Sequence, residues 1–515
     1  MARINVGLCN KCRARVPAEF FERDQQVWIR KNCPECGVTE SLVSNDMAAW
    51  QAKRDLYSYV PNEPVACTLN CDGCHVDHKP NMVFLDVTNR CNMHCPICIA
   101  TIRGMGFDFN PPLSYFEKIF AELGKMDPLP VVQLFGGEPT CREDLLEIIK
   151  IARKYRLAPH VTTNGIRLAD ENYCRKLCES RVAVRLGFDG VRPEIYQKMR
   201  NQPGACAKKL KAMENLRKYS RRKHTIIACA AKGINDQYMA EFLQYCHDNR
   251  DVVADVGIIP LTENWEEGAF QKVETTTMED VEKMVQESVP GGKVEFVPAG
   301  LAYAARKMRS FFRTNPRSET LLLAGVHPNC ESMTWLASNG KHFISFSHYL
   351  KKSFGQAFVE FAEISKKLDP KLDRLDNKKA FDRLRGRVRI LLTYAPWTFR
   401  TLKLGALAWG ALKYKLKGLQ LMLTSKTASD GVTQKRRPRW ITRVAMLPFE
   451  EQHSVDAARM ESCKAVFAYE DTEDGKVKTI PACLWYPYRN DFLEKLSKKY
   501  GVAGKTSRAE AEAIA

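Results

Sequence analysis

Residues 82–98 read MVFLDVTNRCNMHCPIC, and this stretch decides the fold. The apolar run Met82–Val87 is typical of a buried strand, and three closely spaced cysteines lie in the loop after it. Downstream, similar runs alternate with amphipathic helical patterns, which predicts parallel strands joined by right-handed crossovers. The pattern predicts an α/β fold with a partial (β/α)6 barrel of the TIM type. The six expected strands are Met82–Val87, Val131–Leu134, Pro159–Thr163, Ala183–Gly187, Thr225–Ala230 and Ala254–Ile259.

The cysteine spacing after the first strand predicts a metal cluster. Cys91, Cys95 and Cys98 form a C-x3-C-x2-C pattern, which can bind three irons of a [4Fe–4S] cluster and leave the fourth iron without a protein ligand. An open metal position can chelate a small molecule, as it does at catalytic zinc. Alternatively, these cysteines bind zinc or are buried thiols. His94 is interpreted as a loop residue.

Four further motifs fall where the next predicted strands end. Active sites of parallel α/β barrels lie at the C-terminal strand ends. Together with the cysteine triplet, these motifs resemble those of the radical S-adenosylmethionine (SAM) superfamily. They are Gly136-Gly137-Glu138-Pro139, Thr162-Thr163-Asn164-Gly165, Gly187-Phe188-Asp189-Gly190 and Lys232-Gly233-Ile234-Asn235-Asp236.

This resemblance implies the cofactors and the chemistry. A [4Fe–4S] cluster on the triplet and SAM at its open iron would together give methionine and a 5'-deoxyadenosyl radical, which takes hydrogen from an unactivated carbon. A ferredoxin or flavodoxin would supply the electron. Ile97 stands where the family usually has an aromatic residue. The implied SAM-binding residues are Gly136, Gly137, Glu138 and Pro139 at the amino group, Thr163, Asn164, and Asp189 near the ribose.

Two CxxC pairs precede the barrel. Cys9-x2-Cys12 and Cys33-x2-Cys36 can form a tetrahedral four-thiolate site. Such a site suits zinc or a rubredoxin-like mononuclear iron.

A second C-x3-C-x2-C triplet, Cys67, Cys71 and Cys74, predicts an auxiliary [4Fe–4S] cluster. The alternative is a zinc loop with His75 or His78 as the fourth ligand. Cys330, Cys463 and Cys483 either complete this cluster, build another one or pack in the core. The remaining cysteines lack ligand spacing and are interpreted as packing thiols: Cys141, Cys174, Cys178, Cys206, Cys229 and Cys246.

The order of these groups resembles one branch of the superfamily. The chain has, in this order, two CxxC pairs, a cysteine triplet, LDVTNRCNMHCPIC at 85–98 and TIPACLWY at 479–486. This order is similar to that of the archaeal tetraether lipid synthases and of relatives that methylate a pterin cofactor. The resemblance covers about residues 5–300 and 455–490. Where relatives often read CPEHG and PFCAYN, this chain reads CPECG and PACLWY.

A basic region without a counterpart in that group favours a lipid surface. The formal net charge is +19, and residues 383–440 hold fourteen Lys/Arg and one acid, Asp430. Residues 398–423 predict a basic amphipathic helix containing Trp409, which suits peripheral binding to an anionic membrane. The alternative is a solvated helix packed on the barrel. Nucleic acid is disfavoured because the segment has few stacking aromatics.

The N-terminal sequence MARINVGLCN lacks an apolar signal-peptide core, and no run of 18 apolar residues occurs. We therefore expect a cytoplasmic protein at the inner face of the membrane, without disulfides.

The chain divides into six predicted segments. They are a rubredoxin-like or zinc-ribbon module (1–60), an accessory Fe–S loop (61–80), the barrel (81–290), a connection with Cys330 (291–345), a basic helical region (346–445) and a cysteine-bearing hairpin with the tail (446–515).

Three functions are compatible with these features. The first is a radical SAM enzyme that acts on lipid hydrocarbon chains, by C–C bond formation or a related modification. The second is a radical SAM C-methylase of a soluble cofactor. The third is a non-enzymatic Fe–S or zinc-binding protein.

Overall fold

The computed structural model describes residues 5–56, 67–71, 74, 76, 78–102, 105–265, 268–312, 322–412, 438–449 and 453–500. His75 and residues 413–437 of the basic region lie outside this set.

The N-terminal module is a four-stranded antiparallel sheet in the order β1-β2-β3-β4, followed by one helix. A buried ion pair fixes this module to the barrel, since Lys53 Nζ lies 2.6 Å from Glu279 Oε1. Its elements are β1 Asn5–Leu8, β2 Arg15–Arg23, β3 Gln26–Cys33, β4 Gly37–Ser44 and α1 Met47–Asp55.

All six predicted barrel strands are present and pair in parallel in chain order. Alternating strands and helices produce this topology because each helix covers the sheet with its apolar face. The strands are β5 Met82–Thr88, β6 Val131–Gly136, β7 Ala158–Thr163, β8 Ala183–Gly187, β9 His224–Ala230 and β10 Val253–Pro260. The helices are α2 Leu113–Leu123, α3 Leu145–Lys154, α4 Glu171–Glu179, α5 Pro193–Arg200, α6 Ala205–Tyr219, α7 Met239–Asp248 and α8 Met278–Ser288.

The sheet extends beyond the six strands at both edges. Strand β14 (Ile441–Met446) pairs in parallel with β10, and strand β15 (Ala465–Glu470) pairs in parallel with β5. The turn at Asp474-Gly475 joins β15 to β16 (Val477–Pro481), and the two strands pair as an antiparallel hairpin. The added strands are β11 Val297–Pro298, β12 Ser332–Ser338, β13 Phe343–Ser345, β14 Ile441–Met446, β15 Ala465–Glu470 and β16 Val477–Pro481.

The rest of the described C-terminal half is mainly helical. Residues 398–412, the described part of the helix predicted over 398–423, are interrupted, contrary to the sequence prediction. Helix α12 ends at Thr401, because Leu402 is extended and bridges to Leu350, and residues 404–412 form a separate helical segment. The helices are α9 Ala299–Tyr303, α10 Arg306–Ser310, α11 Phe354–Leu372, α12 Ala380–Thr401, a short helix Ala457–Glu461 and the C-terminal helix Ala482–Tyr500. No helix among the described residues is long and apolar enough to cross a bilayer.

Candidate active site

The cysteine loop after β5 is packed against the glycine turn after β6. Gly137 N donates to Thr88 O at 2.7 Å, and Glu138 N donates to Arg90 O at 2.7 Å. A Cβ on Gly137 would lie 2.2 Å from Arg90 O, so only glycine permits this approach. The turn therefore fixes the start of the loop that carries the first cysteine.

Glu138 is buried at the centre of the predicted SAM-binding motifs. Its Oε1 accepts hydrogen bonds from Thr163 Oγ1 at 2.6 Å and from Thr140, and its Oε2 accepts one from Asn164 N at 2.6 Å. Burial raises the pKa of Glu138, and these donors oppose that shift. The carboxylate is thus held in one orientation at the strand ends.

Asn164 connects this cluster to the cysteine loop. Its Nδ2 donates to Asn92 Oδ1 at 2.8 Å and lies 4.0 Å from Cys91 Sγ. Thr163 is the last residue of β7 and Asn164 follows it. Together they bring the predicted SAM-binding motifs within reach of the first cysteine.

A cationic group that the motifs did not predict lies beside the end of β8. Arg200 holds both carboxylate oxygens of Asp189 at 2.9 Å, and Lys209 donates to Gly187 O. Burial alone would raise the pKa of Asp189, but the charge of Arg200 lowers it, whereas burial lowers the pKa of Lys209 to about 8. Asp189 lies behind Arg200, so it positions this cation at the site.

A cavity of about 1150 Å³ joins these elements at the C-terminal strand ends. Of the predicted cofactor and metal residues, the structure places eleven on its wall. These are Cys91, Cys95, Cys98, Gly136, Gly137, Glu138, Thr163, Asn164, Cys330, Cys463 and Cys483. Arg200 and Lys209 also line it, as do Cys141 and Cys229, which the sequence assigned to packing. Pro139 opens a short 3-10 turn, Pro139–Cys141, behind the wall.

The donor set fits a cluster on the first triplet. Cys91, Cys95 and Cys98 are half-buried, and Met93 N donates to Cys91 Sγ at 3.4 Å. Burial first, and then the charge of Glu138, raise the pKa of Cys91 well above its ordinary value. Its thiolate therefore needs a compensating positive charge, which a bound iron cluster supplies.

Cys330 and Cys463 meet at Gly325. A Cβ on Gly325 would lie 2.5 Å from Cys330 Sγ, and Gly325 forms an isolated bridge with Cys463. Cys483 is the second residue of the helix after β16, and the partner strand of β16 starts two residues after Cys463. The three thiols are therefore gathered at the cavity from distant parts of the chain.

In the second triplet, Cys67 belongs to the core cluster that includes Cys463 and Cys483, and none of its three cysteines lines the cavity. Cys67 is buried, Cys71 half-buried and Cys74 exposed. Burial raises the pKa of Cys67 to about 11.

The four-cysteine site in the N-terminal module is preformed. The Sγ atoms of Cys9, Cys12, Cys33 and Cys36 all lie within 4.8 Å of one another. The 3.7 Å between Cys12 Sγ and Cys33 Sγ is close to the edge, about 3.8 Å, of a tetrahedron with metal–sulfur bonds of about 2.3 Å. Hydrogen bonds from the backbone at Cys12 and Lys11 lower the pKa of Cys9 to about 6, which favours the metal-binding thiolate.

A further buried cation, Arg185, lines the cavity. Arg185 lies at mid-strand in β8 and is 9% exposed. Its Nε has no hydrogen-bond partner among the described residues. Burial lowers its pKa to about 10, and Asp255 and Glu331 attract it through space. The sequence signal for Arg185 was a charged side chain within an apolar strand, between Val184 and Leu186.

Residues 85–246 match the Radical SAM superfamily, and residues 5–45 match the HMPTM N-terminal zinc ribbon domain. The chain is 31% identical over 354 residues to 7,8-dihydro-6-hydroxymethylpterin dimethyltransferase of Methanocaldococcus jannaschii, covering 65% of this chain and 68% of that protein. The chain belongs to the radical SAM superfamily. This radical SAM protein carries a four-cysteine zinc ribbon at its N-terminus.

Two more similarities are weaker. Fe-coproporphyrin III synthase of Methanosarcina barkeri is 32% identical over 140 residues, which cover 27% of this chain and about a third, 34%, of that protein. The solved structure of native anSMEcpe with bound AdoMet and Cp18Cys peptide is 19% identical with a TM-score of 0.33, covering 40% of this chain and 58% of that one.

Proposed function

We propose that this protein is a radical SAM C-methylase that acts on a compact substrate carrying an anionic or strongly hydrogen-bond-accepting group. The observation that carries the proposal is Arg185, a buried guanidinium with an unpartnered Nε in the wall of the cavity that also holds the cysteine triplet. A buried charge is costly unless partners pair with it, and Asp255 and Glu331 attract Arg185 only through space, which leaves its Nε without an acceptor. A hydrocarbon chain offers no such partner, whereas a pterin-like heterocycle offers carbonyl and ring-nitrogen acceptors.

The similarity to a pterin dimethyltransferase supports the same substrate class. When bound, the cluster and SAM would supply one-electron cleavage of SAM to methionine and a radical that removes a hydrogen atom from a C–H carbon. The methyl group would come from a second SAM, which leaves as S-adenosylhomocysteine, and the electron donor would supply the second electron. Glu138 and Asn164 would orient SAM beside Cys91, since both line the cavity there. Ile97, Leu261 and Trp265 line the same space and would exclude water from it.

The other cysteine groups support electron delivery. Cys330, Cys463 and Cys483 line the cavity and would hold an auxiliary [4Fe–4S] cluster, while Cys67, Cys71 and Cys74 would hold another near the surface. Three clusters of four irons predict about 12 irons per chain. A ferredoxin or flavodoxin would be the electron donor.

A lipid hydrocarbon substrate is the second candidate. The size of the cavity and its many apolar residues favour it, and so does the exposed apolar helix face described below. Arg185 argues against it unless the bound part of the lipid includes the headgroup.

One experiment tests the function and separates the candidates. The reconstituted full-length protein is incubated anaerobically with SAM and dithionite, either with 6-hydroxymethyl-7,8-dihydropterin or with phospholipid vesicles. We expect 5'-deoxyadenosine in both, and mass gains of one or two CH2 units only on the pterin. Modified lipid with unchanged pterin would overturn the methylase proposal, and absence of 5'-deoxyadenosine would overturn the SAM chemistry.

A further inference from the structure

Helix α12 packs on its neighbours through one face only. Ile390 and Tyr394 are buried in a cluster with Phe311 and Leu368. Gly386 lies on the same face, where a Cβ would be 2.3 Å from the Phe311 ring. A surface helix normally has one apolar stripe that packs on the protein core, and this face of α12 is that stripe.

The opposite face of the same helix is also apolar. Six large side chains on it are between 48% and 70% exposed: Phe381, Leu384, Val388, Leu391, Leu392 and Phe399. Their spacing of three, four or seven residues, with one adjacent pair, aligns them as a single stripe about 27 Å long at 1.5 Å per residue. A contiguous exposed apolar patch of this kind marks an interaction surface.

Positive charge flanks the stripe on both sides. At 3.6 residues per turn, Arg385 and Arg389 lie on one flank and Arg387 lies on the other. Residues 378–403 contain eight Lys/Arg and a single acid, Asp382. Arg387 Nε donates to Phe311 O at 2.8 Å, which fixes the charge beside the stripe.

We propose that this face of α12 docks on the surface of an anionic lipid bilayer, with the helix axis parallel to the membrane. An interfacial helix buries its apolar face at the headgroup boundary and places arginines among anionic headgroups. A second copy of the chain would bring two sets of arginines together, and like charges repel. Nucleic acid would pair with the arginines and leave the six apolar side chains exposed. The inference is independent of the reaction proposed above.

The test is sedimentation of the full-length, anaerobically purified holoprotein with sucrose-loaded vesicles. We expect partitioning onto vesicles with about one third phosphatidylglycerol to exceed that onto pure phosphatidylcholine by about tenfold, and high salt to reduce it. The double variant L391S/L392S should lose about tenfold or more of this binding. R385Q/R389Q should lose mainly the preference for anionic lipid.

The matched control is Val38→Ser, because Val38 is also exposed and apolar but lies on β4 of the zinc ribbon. Iron content and 5'-deoxyadenosine formation confirm that each variant is folded. Absence of vesicle binding, or equal binding by L391S/L392S, would overturn the proposal. So would a dimer, measured by light scattering, that L391S/L392S converts to monomer, because the face would then belong to self-association.

Discussion

Arg489 holds Asp86 through two hydrogen bonds, from Nε to Oδ2 at 3.0 Å and from Nη2 to Oδ1 at 2.9 Å, although the residues are 403 positions apart. Trp485 Nε1 donates to the same carboxylate at 2.9 Å. Arg489 Nη1 also donates to Ala100 O, two residues after Cys98. The C-terminal helix is therefore fastened both to the first barrel strand and to the cysteine loop.

Arg489→Met should destabilise the fold by about 3–5 kcal/mol, because it leaves the buried carboxylate of Asp86 without its ion-pair partner. Iron content should fall as well, since the loop at Ala100 loses a hydrogen bond. Chemical denaturation and iron analysis measure the two effects. The control is Lys498→Ala, which removes only an exposed ion pair with Glu494 on the same helix. Equal stability of the two variants would contradict the structural role of the pair.

Gly137→Ala should displace the cysteine loop, since the new Cβ would meet Arg90 O at 2.2 Å. We expect a loss of about 1–3 kcal/mol of stability from overpacking and a reduced cluster signal in the absorption spectrum. Gly204→Ala is the control, because a Cβ there meets nothing within 4 Å. A normal cluster in the Gly137 variant would show that the loop tolerates the shift.

Cys95→Ala should remove about four irons per chain and abolish 5'-deoxyadenosine formation, because two thiolates do not hold the cubane. Iron analysis and chromatography of the nucleoside measure both. Cys246→Ala is the control, since Cys246 is fully buried in the apolar core. Nucleoside formation by the Cys95 variant would refute the assignment of the cluster.

Arg185→Met should not change the rate at which SAM is cleaved in the absence of substrate. Product formation should fall by roughly tenfold to a hundredfold, because a charge-assisted hydrogen bond contributes about 1.5–3 kcal/mol. Steady-state kinetics with the dihydropterin should show this loss, with Arg175→Met on the exposed surface of α4 as the control. If the two variants perform equally, Arg185 does not contact the substrate.

Cys33→Ser should abolish zinc binding at the ribbon, because Cys33 is one of the four gathered thiols. The barrel clusters should remain, since no cysteine of the ribbon lines the cavity among the residues described. Metal analysis of the full-length protein separates zinc from iron. Iron in place of zinc in the native protein would indicate a rubredoxin-like centre.

Much of the site was predictable from local sequence. Strand Met82–Thr88, the triplet after it and the motif containing Glu138 are encoded by spacing and by apolar runs over a few residues. By contrast, Arg200 and Lys209 lie on amphipathic helices. In the sequence of such a helix, a cation that faces the site cannot be distinguished from one that is exposed to solvent.

The sequence by itself determined the parallel barrel, the position of the C-x3-C-x2-C triplet after its first strand and the two CxxC pairs, because periodicity and cysteine spacing are local properties of the chain. Only the tertiary structure decided that Cys330, Cys463 and Cys483 share the cavity, that Arg185 faces it, and that α12 carries a second apolar face. These features depend on how distant elements pack. The free energy of burial and pairing, rather than any short pattern, therefore fixes them.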